Sequence, residues 1–335
     1  MTLDEIVGQD RAVATLRRAL AAGRLGHAYL FAGPPGVGKR STALALALAC
    51  VCAEAPGRGC GRCPECHLIG AGSHPDVFVE DLARAQIERP TATHLSIEQV
   101  RRVRSQLAMR PIRGNHKIGL IEPAERMTAD AQNALLKTLE EPPGTATLIL
   151  VTANADALLP TIRSRCQRIR FTPLPTDLVE RLLVAEGVLA AAAQAASRLA
   201  DGGLDAARHF AAGDVAERCR ELHAELDRLD RMSVPEVLDL AASLAPPRVP
   251  RDQQALYATA VLDWCRMRLH DAAGRTDQAS TGSEDDEDAL DAVRRALGRL
   301  LHAYATSRDL ERNANAHLAW DCLLLELRAG ANARV

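Results

Sequence analysis

A glycine-rich segment, GPPGVGKRST, runs from Gly33 to Thr42 and has the spacing of a phosphate-binding loop. Gly33, Gly36 and Gly38 allow a tight turn whose backbone N–H groups could point at phosphate oxygens. Lys39 would add a positive charge for the β- and γ-phosphates, and a helix that begins here would add its positive end. The segment predicts a site for ATP or ADP. The alternative is a Gly/Pro turn that binds no ligand.

Two positions argue against metal-assisted hydrolysis at this loop. The pattern expects Ser or Thr after the lysine to hold Mg²⁺, but the residue there is Arg40, which cannot coordinate a cation and would repel it. In the apolar segment KIGLIEPAERM, Glu122 stands where a metal-directed carboxylate belongs. The next residue, where a glutamate would activate water, is Pro123, which has no acid–base chemistry. Glu125 is interpreted as a solvated helix residue, so nucleotide binding stays open and hydrolysis is not expected.

Four cysteines in the segment CAEAPGRGCGRCPEC have the spacing of a tetrahedral zinc site. They are Cys52, Cys60, Cys63 and Cys66, although spacing alone would let Cys50 replace Cys52. The alternative is a group of reduced surface thiols. We expect structural Zn²⁺, and we assign the site no catalysis because four cysteines leave no open position for a water.

The segment TIRSRCQRIRF (161–171) contains four arginines within eight residues. One hypothesis is a solvated basic strip on the surface. The other is an arginine finger, a guanidinium that reaches the γ-phosphate held by a neighbouring subunit.

The composition limits the classes of function. The chain has 335 residues, of which 47% are hydrophobic and 3% aromatic, with a net charge of −2. This length allows two or three domains, and the charge and few aromatics disfavour a chain that coats or stacks on nucleic acid. The N-terminal MTLDEIVGQD is not a signal peptide, and no apolar run reaches the ~18 residues of a membrane span. We therefore expect a cytoplasmic chain with its nine cysteines as thiols or metal ligands.

Short apolar segments alternate with segments of helical periodicity in the first half of the chain. The predicted strands are 27–33, 76–81, 117–123 and 146–154, and the predicted helices include 41–50, 96–109 and 128–143. This alternation predicts an α/β domain with a largely parallel sheet over residues 1–172.

Strand signals stop after residue 175. We predict a small helical domain over 173–231 and a second helical domain over 232–335, which a Ser233/Glu236 capping box would open. The polar, acidic segment 274–289 has no apolar face and is predicted to be a mobile loop between two helices.

Several of these motifs together resemble the bacterial clamp-loader AAA+ family. They are IVGQ (6–9), HAYLFAGPPGVGK, the cysteine insertion after the loop helix, ALLKTLEEPP (134–143), SRC (164–166) and RNANAHLAWDCLLLEL (312–327). The resemblance covers most of the chain and is densest up to about residue 170. It implies an AAA+ P-loop domain with a zinc knuckle, a helical lid domain and an all-α collar domain.

The family contains motor subunits that hydrolyse ATP and a delta-prime branch that does not. The motor pattern expects Thr in place of Arg40, Asp-Glu in place of Glu122 and Pro123, and an arginine in place of Asp205. A carboxylate at the last position would repel phosphate. With the SRC motif intact, the chain resembles the delta-prime branch. The alternative is a motor-type, gamma/tau-like ATPase, which needs a base near Pro123.

The resemblance implies a place in a hetero-pentamer with gamma/tau motor subunits and a delta subunit, within the DNA polymerase III holoenzyme. This complex opens a sliding clamp and closes it on primed DNA. The chain would supply Arg165 in trans to a neighbouring motor subunit, and Cys52 rather than Cys50 would be the first zinc ligand. Contact with DNA would be to phosphates and non-specific. A rival hypothesis, a zinc-containing DNA-binding module, predicts tight DNA binding by the isolated chain.

Overall fold

The computed structural model describes residues 2–212, 215–246, 251–276, 284–311 and 315–329. Contacts divide the chain into two units. The first comprises Met1–Arg181 and Asp201–Ala206, and the second comprises Leu182–Ala200 and Ala207–Val335. The division into three domains at residues 172 and 231 stays a prediction.

A five-stranded parallel sheet is the centre of the first unit, as the described residues show. Its strands are β1 (Ala28–Ala32), β2 (Val77–Asp81), β3 (Lys117–Glu122), β4 (Ala146–Thr152) and β5 (Gln167–Arg170). They lie in the order β2-β3-β4-β1-β5, and every pairing is parallel. The prediction of a parallel α/β architecture is confirmed, and the four predicted strands are β1 to β4.

The edge strand β5 was not predicted from the sequence. Only Ile169 of this strand is buried, while its other three residues are exposed. A strand of this composition lacks the apolar run that marks a buried parallel strand. Pairing with β1, rather than local pattern, therefore determines its conformation.

Helices cover both faces of the sheet. They are α1 (Asp10–Ala21), α2 (Lys39–Val51), α3 (Pro64–Gly70), α4 (Leu82–Glu88), α5 (Ile97–Ala108), α6 (Ala129–Glu140) and α7 (Pro160–Arg163). The next helix, α8 (Thr176–Ala185), begins in the first unit and ends in the second. Alternate residues of β1 enter two separate cores, with Phe31 in one and Leu30 in the other. The predicted capping box of α5 is present, because the Ser96 N–H donates to Gln99 Oε1 at 2.8 Å.

The second unit is helical throughout its described residues. Its helices are α9 (Ala190–Leu199), α10 (Leu204–Ala211), α11 (Val215–Asp227), α12 (Val234–Leu244), α13 (Arg251–Thr276), α14 (Glu284–Glu311) and α15 (Ala316–Ala329), with the first turn of α10 assigned to the first unit. The predicted capping box at Ser233 is present at the start of α12. Among the helices described, none combines the length and the hydropathy that crossing a membrane requires.

Two interpretations of the C-terminal sequence are adjusted by these helices. The predicted loop 274–289 is wrong at both ends, since residues up to Thr276 belong to α13 and residues from Glu284 belong to α14. Residues 277–283 lie outside the described residues. The predicted helix at 312–327 begins at Ala316 as α15, and residues 312–314 also lie outside the described part.

A buried ion pair fixes the chain where β3 begins. Lys117 and Asp76 are 1% and 0% exposed, and Nζ lies 3.5 Å from Oδ1. The Asp76 carboxylate also accepts backbone N–H groups from Ile112 (2.7 Å), Arg113 (2.8 Å) and Gly114 (3.0 Å). Burial on its own raises the pKa of Asp76, but these donors and Lys117 outweigh it and hold the pKa below its ordinary value.

Replacing Asp76 by Asn leaves a buried lysine without its counter-ion. We expect Asp76→Asn to lower the free energy of unfolding by about 3 kcal/mol near neutral pH, measured by urea denaturation. Because the folded-state pKa is depressed, the contribution of Asp76 is lost as pH falls through that pKa. The difference in the free energy of unfolding between Asp76→Asn and wild type should therefore become smaller below about pH 4. The control is Asp177→Asn, whose partner Arg181 forms an exposed pair. Equal losses in both variants would contradict the prediction.

Candidate phosphate-binding site and cysteine cluster

The phosphate-binding loop lies at the edge of the sheet where the parallel strands end. It leaves β1 after Ala32 and enters α2 at Lys39. The Gly33 N–H donates to the carbonyl of Thr152 at the end of β4 (3.3 Å). A Cβ on Gly33 would lie 2.3 Å from the carbonyl oxygen of Phe171, so glycine is required here for close packing. Gly38, with φ of 91°, begins the helix.

A pocket of about 450 Å³ opens beside this loop. It is lined by Pro35, Gly36, Gly38, Lys39, Arg40, Ser41, Glu122, Pro123, Glu125, Val151, Thr152, Ala153 and Asp205. The loop, the start of α2 and the ends of β3 and β4 thus meet in one cavity, whose volume is in the range of small-ligand sites. Of the predicted nucleotide-binding residues, Gly33 supports the loop and the other three line the pocket.

The ammonium group of Lys39 is bound by the loop itself. Its Nζ donates to the carbonyl oxygens of Gly33 (2.7 Å) and Pro34, and the side chain is buried. Burial lowers the pKa of Lys39, and the nearby carboxylates of Glu122, Glu125 and Asp205 oppose that effect. The ammonium group therefore donates to carbonyl oxygens of its own loop, whereas in a nucleotide complex it would donate to phosphate oxygens.

Arg40 lies between two carboxylates at the strand ends. Its Nη1 donates to Glu122 Oε2 at 3.0 Å, and its Nη2 lies 2.9 Å from Asp81 Oδ2. Asp81 and Glu122 are direct partners in the β2–β3 register. Burial lowers the pKa of Arg40, but the two carboxylates outweigh burial and raise it. The guanidinium of Arg40 is permanently charged and already pairs with Glu122, the acid that would face Mg²⁺. Arg40 and Glu122 therefore do not fit a magnesium site.

Asp81 is a site residue that the sequence analysis missed. It ends β2 and its Oδ1 accepts the Arg84 N–H at 2.9 Å as the N-cap of α4. The signal was present, because an acidic residue at the carboxyl end of a predicted parallel strand lies at the same edge as the loop.

The acid–base residues are placed differently from the expectation. Pro123 lines the pocket and offers no base. Glu125 is not a solvated helix residue, which corrects its interpretation, because it also lines the pocket. Its Oε1 accepts the Ala153 N–H at 3.1 Å, and its Oε2 is buried without a hydrogen-bond partner in the described residues.

Two further segments hold the loop in place. Gln9, of the IVGQ motif, is buried, and its Nε2 donates to the carbonyls of Val37 (3.2 Å) and Thr172 (2.8 Å). The Leu204 N–H donates to the carbonyl of Gly36 (2.9 Å), which brings Asp205 to the pocket. Gln9 was not assigned a role from the sequence; a lone glutamine gives no signal until its distant partners are known.

The four predicted zinc-binding cysteines lie together after α2. The Sγ atoms of Cys52, Cys60, Cys63 and Cys66 lie within 4.8 Å of one another. Neighbouring Sγ–Sγ distances are 3.5 to 3.9 Å, close to the ~3.8 Å that tetrahedral Zn–S bonds of about 2.3 Å require.

The backbone around the cysteines also suits bound thiolates. The N–H groups of Ala55 and Cys60 each lie 3.3 Å from Cys52 Sγ, and the Cys63 N–H lies 3.2 Å from Cys60 Sγ. Such donors offset the negative charge of sulfur ligands. Cys50 is not part of the cluster, and burial raises its pKa to about 12. The arrangement fits a closed tetrahedral metal site.

Arg165 follows the short helix α7 and is not among the described residues that line the loop pocket. Its side chain is 36% exposed, with Nη2 2.8 Å from Glu140 Oε1 and Nη1 3.0 Å from the carbonyl of Thr161. The next residue, Cys166, is buried, and this anchors the segment. The guanidinium is thus held at the surface by one carboxylate and one carbonyl.

Comparison with known proteins identifies relatives of both branches. A DNA polymerase III subunit delta-prime from Pseudomonas aeruginosa is 41% identical over 150 residues, covering 44% of this chain and 44% of the relative. A subunit delta-prime from Bacillus subtilis is 32% identical over 180 residues, covering 54% and 52%. A subunit gamma/tau from Mycobacterium bovis is 34% identical over 180 residues, covering 53% and 30%.

The chain spans about half of the length of the two delta-prime relatives and less of the gamma/tau relative. The family model described as DNA polymerase III, delta subunit matches residues 8–175, which is half of the chain. This stretch contains the loop, the cysteine cluster and the whole sheet. The chain therefore belongs to the DNA polymerase III delta subunit family of clamp-loader proteins, and its resemblance to the delta-prime subunits is confirmed.

Proposed function

We propose that the chain is a non-hydrolysing clamp-loader subunit that acts in DNA replication through its neighbours. The observation that carries this proposal is Arg40 between Asp81 and Glu122. A clamp-loader ATPase needs a metal at the strand ends and a base beside it. Here a guanidinium holds the first place and Pro123 the second, which argues against metal-assisted hydrolysis at this pocket.

Arg165 supplies the chemistry of the proposed subunit. Its partly exposed guanidinium is offered to the ATP site of an adjacent gamma/tau motor subunit, where it stabilises the charge of the transferring γ-phosphate. The short contact with Glu140 is a surface ion pair, which costs little to exchange for a phosphate. An arginine finger needs the orientation that the buried Cys166 and Ile162 give its backbone.

The remaining parts of the proposal concern the frame of the subunit. Cys52, Cys60, Cys63 and Cys66 hold structural Zn²⁺, which joins the end of α2 to α3 and stiffens an AAA+ P-loop domain. Residues 173–231 form the lid, and residues 232–335 form the collar that joins the subunits.

The proposed assembly determines the partners. The chain joins gamma/tau and delta subunits in a cytoplasmic hetero-pentamer that places the sliding clamp on primed DNA. DNA is reached through the complex rather than by this chain alone, consistent with the net charge of −2.

A second candidate is a motor-type ATPase, and one observation favours it. Glu125 lines the loop pocket with one carboxylate oxygen unpartnered in the described residues, so a carboxylate base is available two residues after Pro123. The gamma/tau relative belongs to that type. This candidate still needs a metal ligand in place of Arg40.

The first prediction from this proposal separates the two candidates. We expect steady-state ATP hydrolysis by the purified chain with Mg²⁺ to equal that of a Lys39→Ala control, because Arg40 excludes the metal. Glu125→Gln should leave the rate unchanged. A turnover that depends on Lys39 and Glu125 would contradict the proposal and make the chain a motor.

The second prediction concerns the arginine finger. In a reconstituted loader whose adjacent motor subunit is the only active one, Arg165→Ala should slow ATP hydrolysis by about 10³-fold, measured under single turnover. Arg168→Ala, which removes an exposed arginine three residues away, is the matched control. Equal rates for both variants would remove Arg165 from the reaction.

The third prediction concerns the cysteine cluster. We expect about one zinc per chain by elemental analysis and its loss in Cys63→Ser. Since metal binding contributes to folding, the melting temperature of that variant should fall by about 5 °C or more. Cys322→Ser, at an exposed thiol, should keep both the zinc and the melting temperature. A wild-type chain that contains no zinc and melts at the same temperature as Cys63→Ser would contradict the assignment.

A further inference from the structure

Two negative charges meet where β2 and β3 end. Asp81 and Glu122 are paired in register, and each carboxylate is mostly buried, with 19% and 23% of the side chain exposed. Like charges on directly paired residues are destabilising. This edge of the sheet therefore needs a cation, with or without a nucleotide in the pocket.

Arg40 is that cation. One guanidinium contacts both carboxylates, with Nη1 and Nη2 each within 3.0 Å of a different oxygen. Its side chain remains 45% exposed and lines the loop pocket. A guanidinium has five N–H donors, so the two contacts leave donors that can reach phosphate oxygens at the pocket wall.

We propose that Arg40 takes the place of the divalent cation in this loop, so that a nucleoside di- or triphosphate enters the pocket without a metal ion. The inference rests on the proposed absence of hydrolysis and adds the form of the ligand to it. A divalent ion in the same place would compete with the guanidinium for the same two carboxylates. The metal-free polyphosphate is thus the ligand class that this chain accepts.

The charges that face the pocket also determine which nucleotide binds better. The pocket is lined by the cations Lys39 and Arg40 and by the acids Glu122, Glu125 and Asp205. Arg40 also contacts Asp81. When no metal ion screens the charge of the nucleotide, each added phosphate increases its repulsion from these carboxylates. ADP should therefore bind at least as well as ATP, the reverse of the preference expected for a motor.

Equilibrium binding of ADP to the full chain tests the inference, by calorimetry up to millimolar nucleotide, in Mg²⁺ or in EDTA. Wild type should show dissociation constants that agree within about threefold in the two buffers. Arg40→Thr should bind weakly in EDTA and about tenfold more tightly in Mg²⁺. Arg40→Lys keeps a charge and should stay independent of metal. Arg110→Thr, at an exposed arginine, is the matched control and should behave as wild type.

A second measurement uses metal alone and needs no nucleotide. Mn²⁺ or Mg²⁺ should raise the melting temperature of Arg40→Thr, in which the carboxylate pair is free, and should leave wild type and Arg110→Thr unchanged. The melting transition also establishes that each variant is folded.

Three results would overturn the inference. They are ADP binding by wild type that requires Mg²⁺, no ADP binding by wild type at millimolar concentration, and an Arg40→Thr variant with no response to metal in either measurement. These outcomes are separate from the fate of the proposed function. Turnover of ATP would end that proposal whatever the binding data show, and metal-dependent binding without turnover would end only this inference.

Discussion

The carboxyl ends of the parallel strands meet at one edge of the sheet, and the acids there must be neutralised. Asp81 and Glu122 arrive side by side because β2 and β3 are in register. The start of α2 lies above them because the loop returns the chain from β1 to that edge. Arg40 then meets both acids, and the rest of the pocket takes its electrostatic character from this contact. The neighbouring cation, Lys39, is also held by partners within the protein, since its Nζ donates to two carbonyl oxygens of its own loop.

Much of this arrangement could be predicted from local sequence. The strands β1 to β4 are apolar runs, α5 and α12 have capping boxes, and the cysteine spacing predicts a cluster. The failures are non-local. β5 has a single buried residue and is defined by its pairing with β1, and Glu125 enters the pocket only because the end of β4 lies beside it. The acids around Arg40 are far away in sequence, with Glu122 82 residues away. The loop expected at 274–289 was wrong at its ends because a polar composition does not by itself end a helix, and α13 and α14 continue into the segment.

The strand β3 has an ion pair at each end, and the two pairs have different physical roles. At its start, Lys117 and Asp76 are buried, and the Asp76 carboxylate holds the preceding loop by accepting three of its backbone N–H groups. At its end, Arg40 and Glu122 are partly exposed beside a cavity, where charge can be shared with a ligand. Arg113 connects the first pair to the helix of the cysteine cluster. Its Nη2 donates to Glu65 Oε1 of α3, and its backbone N–H donates to Asp76 Oδ2. A fully buried ion pair and a partly exposed one therefore lie at opposite ends of one strand.

The hydrogen bonds of Gln9 have a consequence for how the chain folds during synthesis. They join residue 9 to Thr172, 163 residues later, and the first unit also includes Asp201–Ala206. The entropy lost on closing such a long loop is offset only when the contacts between its two ends can form, and this requires both ends to have been made. The hydrogen bonds between Gln9 and Thr172 therefore form only after residue 172 has been made, whereas the apolar residues of α1 share a core with those of the nearby α2. The first unit is complete only when residues 201–206 have joined it, so its assembly depends on contacts that are distant in sequence.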